Sequence, residues 1–165
     1  MRLIGLALAT LAALSPLSAG AHEAAPVAIA YVEAHAPVEI SAQASALFAS
    51  VNAERLRHGL SRLTPDDGLV KPALEKARDM AIYGYFGHTD PGGVTFEERV
   101  RASGLAFRCA AENLAFDQDA EHAHAAFMHS AEHRANVLDP QQKRLGIAVV
   151  TVGDGETFFV EEFAG

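Results

Sequence analysis

The stretch GLAFRCAAENLAF, residues 104–116, holds one carboxylate, Glu112, in a mostly apolar run. Burying a lone carboxylate is expensive unless a partner pairs with it or a metal binds it. Two histidines elsewhere in the chain are the candidates to meet it. His88 lies between IYGYFG and TDPGG, in a turn-rich segment of the kind that holds functional groups over a rigid scaffold. His133 lies in SAEHRAN, beside Arg134. Were both histidines to meet Glu112, two neutral imidazoles and a carboxylate could ligate Zn²⁺ and leave an open position for water. Without metal, the same trio would be a hydrogen-bonded cluster with perturbed proton affinities. A third reading is structural: Glu112 ties two histidine-bearing loops together.

The remaining histidines and the lone thiol have plainer readings. His22, His35 and His58 stand in or beside polar segments, and His122, His124 and His129 fit a solvated helix face. Cys109 follows Arg108 in an apolar stretch and reads as a buried, inert thiol.

Helices must position most of these groups. From Ser41, the residues Ala44, Leu47, Phe48, Val51 and Arg55 follow helical spacing, and Gly59 closes the segment. TPDD opens a second helix, with Thr64 as the expected cap and Pro65 in its first position. Leu69, Ala73, Ala77 and Met80 or Ala81 form its inner stripe. TFEERVRASG carries a capping box from Thr95 to Glu98 and stops at Gly104. The stretch through Glu112 is expected to be partly extended. A fourth helix starts near Asp119, with Ala123, Phe127, Ala126 and Ser130 as its inward positions. EHRANVL adds another helical turn, ended by Asp139-Pro140. The tail changes period: LGIAVVTV, GDGE and TFFVEEFA read as a β-hairpin. Helices followed by strands give an α+β layered fold.

The 165-residue chain carries 13 basic and 21 acidic residues, a formal charge of −8. That balance gives no electrostatic reason to hold nucleic acid or an anionic membrane. Residues 1–21 combine Arg2, an apolar run from Leu3 to Leu14 and small residues at Ala19 and Ala21, the layout of a secretory signal peptide cut after Ala21. The run is too short for the ~20 residues of a membrane span. Residues 22–40, rich in Ala and Pro, are expected to form an extended arm, and residues 41–165 a single domain. One cysteine permits no internal disulfide, so packing must stabilise the exported chain, which points to a bacterial periplasmic or secreted protein.

Several segments in order resemble the CAP domain, also called the SCP or pathogenesis-related-1-like domain, in its compact bacterial form. They are LFASVNAERLRHGL, LEKARDMAIYGYFGHTDPGG, AAENLAF, FMHSAEHRANVLDP, LGIAVV and FFVEEF, over about residues 44–163. The resemblance implies a three-layer α-β-α sandwich with His88, Glu112 and His133 meeting in one cavity. It implies that Asn113 and Asn136 brace the neighbouring loops. It also places Ser130 where many eukaryotic members carry a second glutamate and Phe127 where the family has tryptophan, while Glu132 replaces the usual glycine. The metal affinity that the family's four-residue sites imply is therefore expected to be lower in this chain.

Three functions remain open at this level. The first is a non-catalytic binding module whose cleft, formed by His88, Glu112, His133, Asn113, Ser130 and Tyr85, takes a small apolar, glycan or peptide ligand. Tyr83, Tyr85 and Phe86 supply aromatic surface beside it. The second is a zinc-assisted hydrolase using His88, Glu112 and His133, with Glu112 as ligand or general base but not both. The third is a structural or protein-interaction role in the cell envelope. A monomer without nucleic-acid partners is expected in each case.

Overall fold

The computed structural model describes residues 41–153 and 155–165; the expected leader and arm lie outside them. The first helix, α1, spans Ala42–Arg57, and Ser41 caps it by accepting from Ala44 N at 3.1 Å. Ala44, Leu47, Val51 and Arg55 line its buried side, as their spacing predicts. Gly59 follows at φ +71°, a conformation that lets the chain leave the helix sharply.

Thr64 and Pro65 do not open the second helix as TPDD suggests. They form a short strand, β1 (Thr64–Pro65), paired parallel to Arg144–Leu145. Thr64 N donates to Lys143 O and Asp66 N to Leu145 O, so this backbone serves the sheet. The cap moves to Asp66, whose carboxylate accepts from Gly68 N at 2.8 Å, and α2 spans Asp67–Tyr83. Gly84, at φ +65°, ends it. The short α3, Phe96–Ala102, carries the expected capping box between Thr95 and Glu98.

Strand β2, Ala110–Asp117, contains Glu112 and Asn113. Asp119 then caps α4, Ala120–His129, and Ser130 ends α4 while capping α5, Ala131–Leu138. Ala123 and Phe127 are buried as expected, whereas Ala126 is exposed. The chain closes with the hairpin β3, Arg144–Val152, and β4, Glu156–Ala164. The sheet order is β1-β3-β4-β2, antiparallel except for β1, which leaves β2 at an edge.

Three layers result. On one face, Leu47, Val51, Phe127 and Val137 pack with Ile147, Phe159 and Phe163. On the other, Ala73, Ala77 and Met80 of α2 pack with Leu114, Ala148, Phe158 and Val160. Gly146 of β3 lets α2 approach: a Cβ there would stand 2.5 Å from Leu69 Cβ and Val70 N. Arg55 is buried and donates to the carbonyls of Ser61, Val137, Asp139 and Gln142 at 2.7–3.3 Å, which fixes the far end of α5. Cys109 is half-buried, with its thiol 3.8 Å from Gln142 Oε1. Among the described residues, no helix is long and apolar enough to cross a membrane.

Candidate functional site

Side chains alternate across a strand, so the consecutive Glu112 and Asn113 point into different layers. Glu112 shares the α2 face with Leu114; Asn113 faces the α4–α5 layer. Because β2 is an edge strand, groups from both layers can meet beyond it. The loop after α2 brings His88 from one side, and α5 brings His133 from the other.

Glu112 is almost fully buried, with 1% of its side chain exposed, and both its oxygens are engaged. Oε1 lies 2.8 Å from His88 Nδ1, and Oε2 pairs with the guanidinium of Arg99 on α3. Arg99 also donates to the His88 carbonyl at 2.8 Å, so one side chain ties the His88 loop to β2. The expectation that Glu112 faces two imidazoles is therefore half met: its second partner is a guanidinium. His88 keeps 53% of its side chain exposed.

His133 is half-buried, its ring edge-on to Phe127 at 5.4 Å between centroids. Burial first, and then the nearby His88, hold its imidazole below the usual histidine pKa, while Glu132 opposes. Ser130 Oγ accepts from His133 N at 3.4 Å, so its hydroxyl helps start α5. Asn113 is fully buried. Its amide donates to the His133 carbonyl at 3.2 Å and to Glu161 Oε2 at 2.9 Å, and its oxygen accepts from Asn136 at 2.9 Å. This bracket clamps α5 to β2 and leaves Asn113 no free amide for a ligand. Tyr85 lies on the α2 side: its hydroxyl accepts from Lys76 Nζ at 2.9 Å and donates to Asp79. Burial and that bond to Asp79 push the phenol's pKa up.

Four further residues belong to this region and carry no role in the sequence reading. Arg99 is one and Lys76 another. Lys76 is buried, and burial, then Arg99, pull its ammonium pKa down, with Glu112 and Asp79 opposing. Glu161 and Glu162 are both fully buried on β4, directly across from Asn113 and Glu112. Burial pushes each carboxyl up to about 8; the Asn113 amide opposes this for Glu161, while the charge of Glu112 adds to it for Glu162. The signal was present in FFVEEF, two adjacent carboxylates inside a strand-like apolar run. Arg99, on a short polar helix, left no such mark.

Exposed aromatic surface flanks the site. Tyr83 and Phe86 are 68% and 55% exposed, and Phe86 stacks on Phe158 at 6.4 Å. A cavity of about 280 Å³, lined by Asp79, Tyr83, Asp90, Pro91 and Gly92, opens beside the His88 loop. Among the described residues, no three His, Cys, Asp or Glu side chains stand together in a way that could hold a metal ion.

A layered sheet with an edge-strand Glu-Asn pair between two histidine-bearing segments defines a CAP-type domain. The model of "CAP: Cysteine-rich secretory protein family" matches residues 48–163, and the chain belongs to that family. YkwD of Bacillus subtilis (strain 168) is 32% identical over 131 residues, 79% of this chain and 50% of that protein. An extracellular protein of Bacillus anthracis str. Ames containing an SCP domain is 30% identical, with a TM-score of 0.65 over 73% of this chain and 39% of that one. NaASP2, solved with Zn²⁺, is 14% identical, with a TM-score of 0.57 over 78% of this chain and 83% of that one, a likeness of fold alone. The chain thus spans half the length of YkwD and less of the B. anthracis protein.

Proposed function

We propose that the protein is an exported, non-catalytic binding module that takes a small apolar, glycan or peptide ligand at the cleft between His88 and His133. The observation that carries this reading is the exposed His88 imidazole, oriented through Nδ1 by a buried Glu112 and flanked by exposed Tyr83 and Phe86. A fixed polar group beside aromatic surface suits recognition of a ligand that is part apolar and part hydrogen-bonding. Export rests on the leader-like residues 1–21 and agrees with the extracellular description of the B. anthracis relative.

Catalysis has less support. A general base needs a free lone pair facing substrate, and both oxygens of Glu112 are engaged. The zinc named with NaASP2 belongs to that protein. In this chain the donors do not fit a three-ligand zinc site, because Glu112 orients His88 and pairs with Arg99. A role as a cell-envelope interaction partner would use the same exposed aromatics.

The test is a nuclear magnetic resonance titration of ¹⁵N-labelled protein with a chitin oligomer, an aromatic tripeptide and a short-chain fatty alcohol. Shifts gathered at residues 83–88 and 133, weakened about tenfold by His88→Ala or Tyr83→Ala, are expected from one of the three. Turnover of peptide or ester substrates that depends on His88 would sink the non-catalytic reading.

A further inference from the structure

We propose that Arg99 is the resident cation of the cleft: its guanidinium holds the position on Glu112 that a divalent metal would need, and so bars metal from this site. The inference deepens the metal-free binding reading and relies on it for the location of the cleft.

Three observations converge on Arg99. Its guanidinium pairs with Glu112 Oε2 and also donates to the His88 carbonyl at 2.8 Å, so it is held by strand β2 and by the His88 loop together. Directly across the sheet from Glu112 stands Glu162, fully buried, with neither carboxyl oxygen hydrogen-bonded among the described residues. The buried Nε of Arg99 likewise has no acceptor among them. An orphan donor and an orphan carboxyl thus sit within one small polar cluster, where each unmade bond costs stability.

The neighbours explain why Glu162 is unsatisfied. Its other cross-strand partner, Gly146, has no side chain, and α2 presses on that glycine through Leu69. Side chains directly opposite on one face have Cβ atoms ~4.5–5.5 Å apart. Glu112 and Glu162 are therefore adjacent carboxyls, with the His88 imidazole on Glu112. One nitrogen and two carboxyl groups are donor types that Zn²⁺ or Mn²⁺ accepts, but with Arg99 in place they do not stand together as a metal site among the described residues. A guanidinium among them supplies positive charge and hydrogen bonds but offers no coordination, and it keeps Glu112 occupied. Removing it would leave a carboxyl pair that a divalent ion could bridge.

Zinc binding read by calorimetry, with the shifts of His88 and Glu112 followed in parallel by nuclear magnetic resonance, tests this. The full set is the unaltered protein, Arg99→Met, Arg99→Lys, and Arg99→Met combined with Glu162→Gln. The unaltered protein and Arg99→Lys are expected to show no zinc-dependent shift at Glu112. Arg99→Met should gain one site at least tenfold tighter than any in the unaltered protein, and the added Glu162→Gln should abolish that gain. If Arg99→Met does not fold, Arg99→Gln, which keeps two donors, takes its place. Zinc binding through His88 and Glu112 in the unaltered protein overturns the proposal, as does a folded Arg99→Met (or, in its place, Arg99→Gln) protein that gains no site. The chitin, peptide and alcohol titrations are independent of either failure, because they read ligand binding without metal.

Discussion

Asn113 on β2 and Glu161 on β4 face each other across the sheet, and the Asn113 amide joins Glu161 Oε2 to the His133 carbonyl. Replacing Asn113 with alanine removes both donations and the acceptor for Asn136. We expect Asn113→Ala to cost ~3 kcal/mol in urea denaturation, because several buried groups lose their partners together. A cost below ~1 kcal/mol would mean that water fills the gap.

Glu161 and Glu162 make stability depend on pH in an unusual direction. Burial raises both folded-state values to about 8, whereas an unfolded glutamate titrates near ~4.3. The folded chain therefore binds these protons more tightly. Their contribution is complete below ~4.3 and is lost as pH rises through the folded values. The lowered pKa of His133 acts oppositely, adding stability as pH rises. The comparison with Glu161→Gln isolates the carboxyl: the variant should gain at least ~1 kcal/mol over the unaltered protein between about pH 5 and pH 8.5. An unchanged difference across that range would show that Glu161 is ionised in the fold.

Arg55 is a buried cation whose partners are backbone carbonyls. Arg55→Leu keeps bulk but strips donors from the carbonyls of Ser61, Val137, Asp139 and Gln142. A loss of ~3 kcal/mol, roughly a 10 °C fall in Tm, is expected by calorimetry.

Gly146→Ala tests the close contact of α2 on β3. The new methyl would collide with backbone as well as side chain at Leu69 and Val70. We expect a loss of more than ~2 kcal/mol, or failure to fold, since overpacking against backbone has little room to relax. A circular-dichroism melt indistinguishable from that of the unaltered protein would refute the contact.

Local signals carried much of the fold in the sequence. Apolar spacing marked α1, the Thr95–Glu98 box marked α3, and the change of period marked the hairpin. TPDD misled because Thr64 and Pro65 have two compatible uses, cap and strand, and only the distant Arg144–Leu145 segment decides between them. The site was legible where a polar residue broke an apolar pattern, as at Glu112. Arg99 could not be found this way: an arginine on a short exposed-looking helix becomes informative only once the sheet places Glu112 beneath it. Lys76 was hidden similarly, since a long side chain can lie along a packed helix face and carry its charge into a cluster.

The attachment of α5 has a consequence for motion. Only Val137 of this helix is fully buried; Leu138 packs partly on the core, His133 meets Phe127 edge-on, and the rest of its hold comes from polar contacts, chiefly the Asn113–Asn136 bracket and the Arg55 anchor. A segment with so little apolar grip should detach at far lower free energy than the sheet. Amide hydrogens of residues 134–138 should exchange well before those of β4, as a group. His133 would then ride on a door while His88 and Glu112 stay on the frame, so the cleft could widen without the domain unfolding.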